Sequence, residues 1–232
     1  MLLPKLREEV MFANQQLETN GLVIYTWGNV SAIDRDSELV VIKPSGVSYH
    51  DLTPEKIVVV DLQGQVVDGE LRPSSDLPTH LELYKHFPLV GAVVHTHSMW
   101  ATVWAQACLG IPCKGTTHAD YFYGEIPCTR LLTTAEVAQN YELNTGKVIV
   151  ERFAGLEYVH TPAVLVAEHG PFTWGKDVFE AVRSSTVLET VAQMAFMTWQ
   201  LAGHGNPISP HVLEKHHSRK HGPNAYYGQG LA

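Results

Sequence analysis

The chain has 232 residues, 45% hydrophobic and 17% charged, with a formal net charge of −8. That balance suits a globular domain with a sizeable core and offers no basic stripe for a nucleic-acid backbone. No apolar run reaches the length of a membrane-spanning helix, the N-terminus carries Glu8 and Glu9 where a signal peptide would be apolar, and the three cysteines form no CxxC pair. The expectation is one soluble domain over residues 1–232, in the reducing cytoplasm.

Leu3, Leu6, Val10, Met11, Ala13 and Leu17 follow helical spacing and predict an amphipathic first helix. "GLVIYTWGNVSAID" reads as a strand broken by Gly28, and "SELVVIKPSGVSY" as a second strand ending in a turn at Pro44-Ser45-Gly46. "KIVVVDLQGQVVDG" reads as a hairpin turning near Gly64. "RPSSDLPTHLELYKHFP" opens a helix capped by Ser74 or Ser75 and closed by Pro88, with His80 and His86 expected on its surface. "LVGAVVHTHS" is a buried strand, followed by a helix that Gly110 ends. Residues 111–162 read as loop-rich. "TPAVLVAEHGPFTWG" is another short buried strand, ending at His169. The longest helix follows and stops at Gly203. "HHSRKHG" reads as a solvated helix face. Hairpin strands with helices grouped at the ends point to an α+β layer domain.

The chemistry concentrates in "VVHTHS". Residues i and i+2 of a strand share a face, so His95 and His97 stand side by side. A single histidine on an apolar strand is most simply a core residue with its hydrogen bonds met. Two on one face need two sets of partners, and His169 ends a second apolar strand. Three neutral imidazoles with an open fourth position suit catalytic zinc, so His95, His97 and His169 are the expected metal set. Asp76, just before the histidine strand, is expected as a fourth ligand or as a nearby base. No HExxH, GxSxG, Walker loop or GxGxxG supplies a competing chemistry.

Three short loops look suited to an anion: Gly28 and Asn29 in "TWGNVS", Ser45 and Gly46 in "KPSG", and Ser74 and Ser75 in "PSSD". Each alone is more often an ordinary turn or cap. Beside a metal set they suggest a phosphorylated small substrate.

The motifs "TWGNVSAID", "VIKPSGV", "RPSSDLPTHLELY", "VVHTHSMWATVWAQ", "PCKGTTHADYFYGEIPCTR", "EHGPFTWG" and "HSRKHGPNAYYGQ" run in order through nearly the whole chain. With them the chain resembles the class II aldolase/epimerase family, in particular its sugar-phosphate 4-epimerases. The resemblance implies a three-layer α/β/α fold around a mostly antiparallel sheet. It implies one Zn2+ per subunit on His95, His97 and His169 with Asp76, and phosphate held by Gly28, Asn29, Ser45, Gly46, Ser74 and Ser75. It raises Asp120 and Tyr227 to an acid/base pair, which the residues alone do not suggest. Tyr227 would act across the interface of a homotetramer. The implied reaction is inversion at C4 of a ketopentose phosphate by retro-aldol cleavage and re-addition, as used in L-arabinose or L-ascorbate breakdown. Residues 141–160 contribute nothing the reaction needs on this reading, and His216 is given only a minor assisting role. An aldolase of the same family and a non-catalytic adducin-like domain are the competing readings. Asp76 in place of glutamate speaks against the first and the complete histidine set against the second.

Overall fold

The computed structural model describes residues 1–221 and 225–226. Seven strands form one sheet: β1 (Asn29–Asp34), β2 (Leu39–Ile42), β3 (Val58–Asp61), β4 (Val66–Asp68), β5 (Ala92–His95), β6 (Ala163–Leu165) and β7 (Pro171–Gly175). Their order is β4-β3-β2-β1-β5-β7-β6, and every pair of neighbours is antiparallel. The sheet places β5 between β1 and β7, with His95 opposite Asn29 on one side and Phe172 on the other.

Both faces of the sheet are covered, which explains why the strands read as continuous β-branched runs and not as alternating ones. Ile33, Val40, Ile42, Val58, Val60 and Val93 pack under α2 (Leu77–His86) and α6 (Tyr141–Arg152), through Leu81, Tyr84, Ile149 and Phe153. Their neighbours Val30, Ala32, Val41, Val59 and Val94 pack under α1 (Pro4–Thr19) and the start of α7 (Val178–Ala202). A third cluster joins α3 (Met99–Gln106) to the middle of α7 through Trp104, Leu188 and Ala192. The expected three-layer arrangement is present. Buried Asn14 accepts from the Val30 amide at 2.8 Å and donates to its carbonyl at 3.2 Å, locking α1 onto β1.

Several local expectations change. Residues 21–28 do not extend β1, which begins only at Asn29, after Gly28. The cap of α2 is Asp76, not Ser74 or Ser75. The helix after His97 stops at Gln106, before Gly110, with Cys108 at φ 54°. The segment 111–162, read as loop-rich, holds α4 (Thr116–Ala119), α5 (Thr134–Ala138) and the twelve-residue α6. The sequence "NYELNTGKVIVERF" hides its helix because Asn, Thr and Gly interrupt the pattern, and tertiary packing overrides their weak propensity. His80 is 0% exposed, while His86 is exposed as expected. The basic stretch on α8 (Pro210–His221) is not a solvated face: His216, Arg219 and Lys220 close on Asp120.

The contact between α6 and α2 can be tested by substitution. At Gly146 an added Cβ would stand 2.6 Å from Glu82 Cβ and 3.2 Å from Thr79 Cα, so α6 lies against α2 at backbone contact. Gly146→Ala should therefore lose about 1–2 kcal/mol of stability by urea unfolding, despite the better helix propensity of alanine. A gain would mean that the two helices are not in close contact there. Buried His118 donates Nε2–H to the Gly124 carbonyl at 2.8 Å, and burial holds its pKa at about 4 against that bond. The folded value lies below the free value of 6.5, so the unfolded chain takes up the proton first. Stability is full above that pH and declines as pH falls towards 4, by about 3 kcal/mol from this residue. Urea midpoints from pH 7 down to about pH 4.5 should fall less steeply in His118→Gln than in the unsubstituted chain.

Candidate metal centre and phosphate cavity

β5 ends at His95, and its ring is fixed from two sides. Phe172 stacks on it at 4.2 Å and 17°, and Nδ1 lies 3.0 Å from the Pro171 carbonyl. A carbonyl only accepts, so Nδ1 carries the hydrogen and Nε2 presents its lone pair. His97 follows just past the strand end, on the exposed side. His169 arrives on the tight turn between β6 and β7, where Glu168 takes φ 61°. The three ring centroids lie 4.8 to 5.0 Å apart, and one nitrogen from each ring falls within 4.8 Å of the others. The His95 and His97 Nε2 atoms are 3.1 Å apart. A tetrahedral zinc site with ordinary Zn–N bonds needs an edge of about 3.3 Å.

Burial, then the neighbouring imidazoles, lowers the pKa of His97 to about 4 and of His169 to about 3. These two are therefore neutral donors at pH 7, the form a metal ion takes. The donor set fits a divalent ion held by three imidazoles with room for substrate oxygen.

Asp76 stands at the rim of the triad. Its Oδ2 accepts from Asn29 Nδ2 at 2.6 Å and Ser74 Oγ at 3.4 Å. Burial opposes its charge, but the His95 and His80 imidazoles and the Asn29 amide outweigh that and keep the carboxyl below its ordinary pKa. Its carboxylate is not among the mutually close ligand atoms of the three histidines.

Beside the triad opens a cavity of about 500 Å³, and all six residues of the three anion loops line it. The loops are joined edge to edge. The Ser45 amide donates to the Arg72 carbonyl and the Ser74 amide to the Lys43 carbonyl, at 2.9 and 3.0 Å. Asn29 Nδ2 reaches Ser74 Oγ at 3.0 Å and ties in the third loop. Gly28, at φ 82°, is required where it is: a Cβ there would meet the His95 carbonyl at 2.8 Å.

Two residues escaped the sequence reading. Lys43 lines the cavity while only 2% exposed, and burial lowers its pKa to about 8. Its Nζ lies 3.4 Å from the Pro44 carbonyl and 5.0 Å over the Tyr49 ring. A lysine closing the run "LVVIK" is a burial signal that the reading of "KPSG" passed over. The second is Tyr141, within the segment judged dispensable: its hydroxyl lies 3.3 Å from His169 Nδ1. If His169 binds metal through Nε2, Nδ1–H donates to that hydroxyl.

Asp120 is elsewhere in the chain. At the C-terminal end of α4 it accepts from Arg219 at 3.0 and 2.6 Å and pairs with His216 Nδ1 at 3.0 Å, and it is not among the described residues lining the cavity. Burial opposes its charge, yet the Arg219 and His216 bonds keep its pKa below the usual carboxylate range. Tyr227 lies outside the described residues.

Removing the hydroxyl that orients His169 should weaken metal binding without touching a ligand. Tyr141→Phe is expected to lose about tenfold in affinity for a divalent ion, measured by chelator competition. Unchanged affinity would remove Tyr141 from the metal centre.

Comparison with known proteins gives the family. The profile of the class II aldolase and adducin N-terminal domain matches residues 8–196. The chain is 56% identical over 225 residues to the L-ribulose-5-phosphate 4-epimerase UlaF of Salmonella paratyphi B, covering 97% of this chain and 99% of that protein. Among solved structures, an L-fuculose 1-phosphate aldolase superposes with a TM-score of 0.79 at 24% identity, over 93% of this chain and 95% of the other. The L-fuculose-1-phosphate aldolase of Thermus thermophilus gives 0.67 at 24% identity, over 87% and 98%. The chain belongs to the class II aldolase and adducin N-terminal domain family.

Proposed function

We propose that this chain is an L-ribulose-5-phosphate 4-epimerase, interconverting L-ribulose 5-phosphate and D-xylulose 5-phosphate. The observation that carries the reading is near full-length identity of 56% to an epimerase of that name. A three-imidazole cluster beside a cavity that collects three anion loops supports it.

The C4 hydrogen of a 2-ketopentose is not next to the carbonyl, so direct deprotonation cannot invert that centre. Breaking C3–C4 can. Loss of the C4 hydroxyl proton turns that carbon into the aldehyde of glycolaldehyde phosphate and leaves the C3 fragment as an enediolate. Re-addition to the opposite aldehyde face then gives the epimer and returns the proton. When bound by His95, His97 and His169, Zn2+ would supply Lewis-acid polarisation of the ketone side.

The rest falls to the chain's own side chains. The hydroxyls of Ser45, Ser74 and Ser75 and the amides of Gly46 and Ser75, with Gly28 and Asn29, hold the phosphate, and Lys43 supplies the positive charge. A held phosphate keeps the aldehyde fragment in place while it turns, and that retention separates an epimerase from an aldolase. Asp76 orients Asn29 at the edge between cavity and triad and is the fourth ligand or a base beside it. Asp120 and Tyr227 serve as the acid/base pair on the two faces of C4. Because Asp120 sits apart from the triad within its own chain, we assign both to the site of a neighbouring subunit in a homotetramer. Among the described residues no helix is long and apolar enough to cross a membrane, and the cytoplasm is the proposed compartment.

The assay is direct. Zinc-loaded protein given L-ribulose 5-phosphate should form D-xylulose 5-phosphate, and His97→Asn should reduce the rate by about 100-fold or more. A folded, metal-loaded chain that forms no product would refute the assignment. Release of free glycolaldehyde phosphate would favour an aldolase instead.

A further inference from the structure

His80 lies one helical turn after Asp76 on α2, so the two side chains share a face. Its ring is enclosed: Phe172, the residue that stacks on His95, presents its ring at 6.0 Å and 71°. His80 Nδ1 is 2.7 Å from Ser31 Oγ, and Ser31 Oγ is 2.7 Å from the Tyr84 hydroxyl. His80 Nε2 is buried and has no hydrogen-bond partner among the described residues.

The direction of this chain of bonds follows from counting hydrogens. With Tyr84 donating to Ser31 and Ser31 donating to His80 Nδ1, every hydroxyl hydrogen is placed, and a single group, Nε2–H, stays unpaired. Reversing the chain would strand two groups, the Tyr84 hydrogen and the Nε2 lone pair. Buried polar groups avoid that, so His80 is the Nε2–H tautomer. The His80 amide donates to the Asp76 carbonyl at 3.2 Å, which fixes the turn that carries both side chains. Asp76 Oδ2 takes the bonds from Asn29 and Ser74, and its Oδ1 takes neither.

We propose that His80 is a positioning residue, whose Nε2–H holds the Asp76 carboxylate in place once the triad carries its metal ion. The inference rests on the metal-centre reading and adds to it a fixed donor rooted in the sheet. His80 would not touch substrate or metal. It would set the angle at which the carboxylate faces the ion.

The test reads metal binding, so it is answered separately from which sugar phosphate the site takes. Co2+ affinity and its visible spectrum are measured for His80→Leu, His80→Gln, Tyr84→Phe, Asp76→Asn and the His80→Leu/Asp76→Asn double variant. His80→Leu should bind Co2+ about 10- to 100-fold more weakly with an altered spectrum, and His80→Gln, which keeps a donor, should recover most of the loss. Tyr84→Phe releases the tautomer and should weaken binding about threefold, which carries the test if His80→Leu does not fold. The double variant should be no weaker than Asp76→Asn alone, because His80 acts through Asp76. Wild-type affinity and spectrum in His80→Leu, or in Tyr84→Phe when that variant stands in for it, would overturn the proposal. So would additive losses in the double variant, since a purely structural histidine would give them.

Discussion

The hydrogen bond from His95 Nδ1 to the Pro171 carbonyl is the contact on which the rest of the centre depends. It joins the end of β5 to the start of β7, and so ties the strand that carries His95 to the turn that carries His169. It also decides chemistry: with Nδ1 committed as donor, the lone pair of Nε2 faces His97 at 3.1 Å. Two nitrogens so placed either share a proton or share a cation. Phe172 stacked on the same ring holds its plane, and the Nδ1 bond decides which edge faces His97.

Burial sets the electrostatics around this point. It holds His97 and His169 neutral and Lys43 at about 8, each shifted away from its charged form. In a chain of net charge −8 the cavity is thus lined with latent donors, and Asp76 at its edge is the one carboxylate among its described lining residues. A divalent ion and a phosphate dianion each bring charge that this site leaves unmatched. Under the proposed function, the hydroxyls and unpaired amides of the loops would address the second, and the described cavity lining holds no arginine.

Asp120 shows the opposite treatment. Arg219, His216 and Lys220 hold it as a carboxylate, buried and outside the described lining of the cavity beside the triad. Under the proposed reaction, an acid/base group stored in that way would serve the site of a second copy.

The sequence by itself determined the elements that depend on local pattern. The helix spacing of residues 4–19 and 178–202 was legible, as were the hairpin at Gly64 and the strand end at His95. The single strand read up to His169 is instead two strands, β6 ending at Leu165 and β7 starting at Pro171, with His169 on the turn between them. The i and i+2 rule made the histidine pair readable, and the Ser/Gly loops were readable as turns that expose amides. Only tertiary structure decided what depends on distant segments meeting. It gathered the three loops on one cavity, buried Lys43 and His80 and set the Tyr141 hydroxyl on His169. It also ordered α6, whose own sequence is a poor helix former, by pressing Gly146 onto α2. A local pattern records which side of an element is apolar, but not which distant residue will cover it. That is why a histidine read as surface is wholly buried against Phe172.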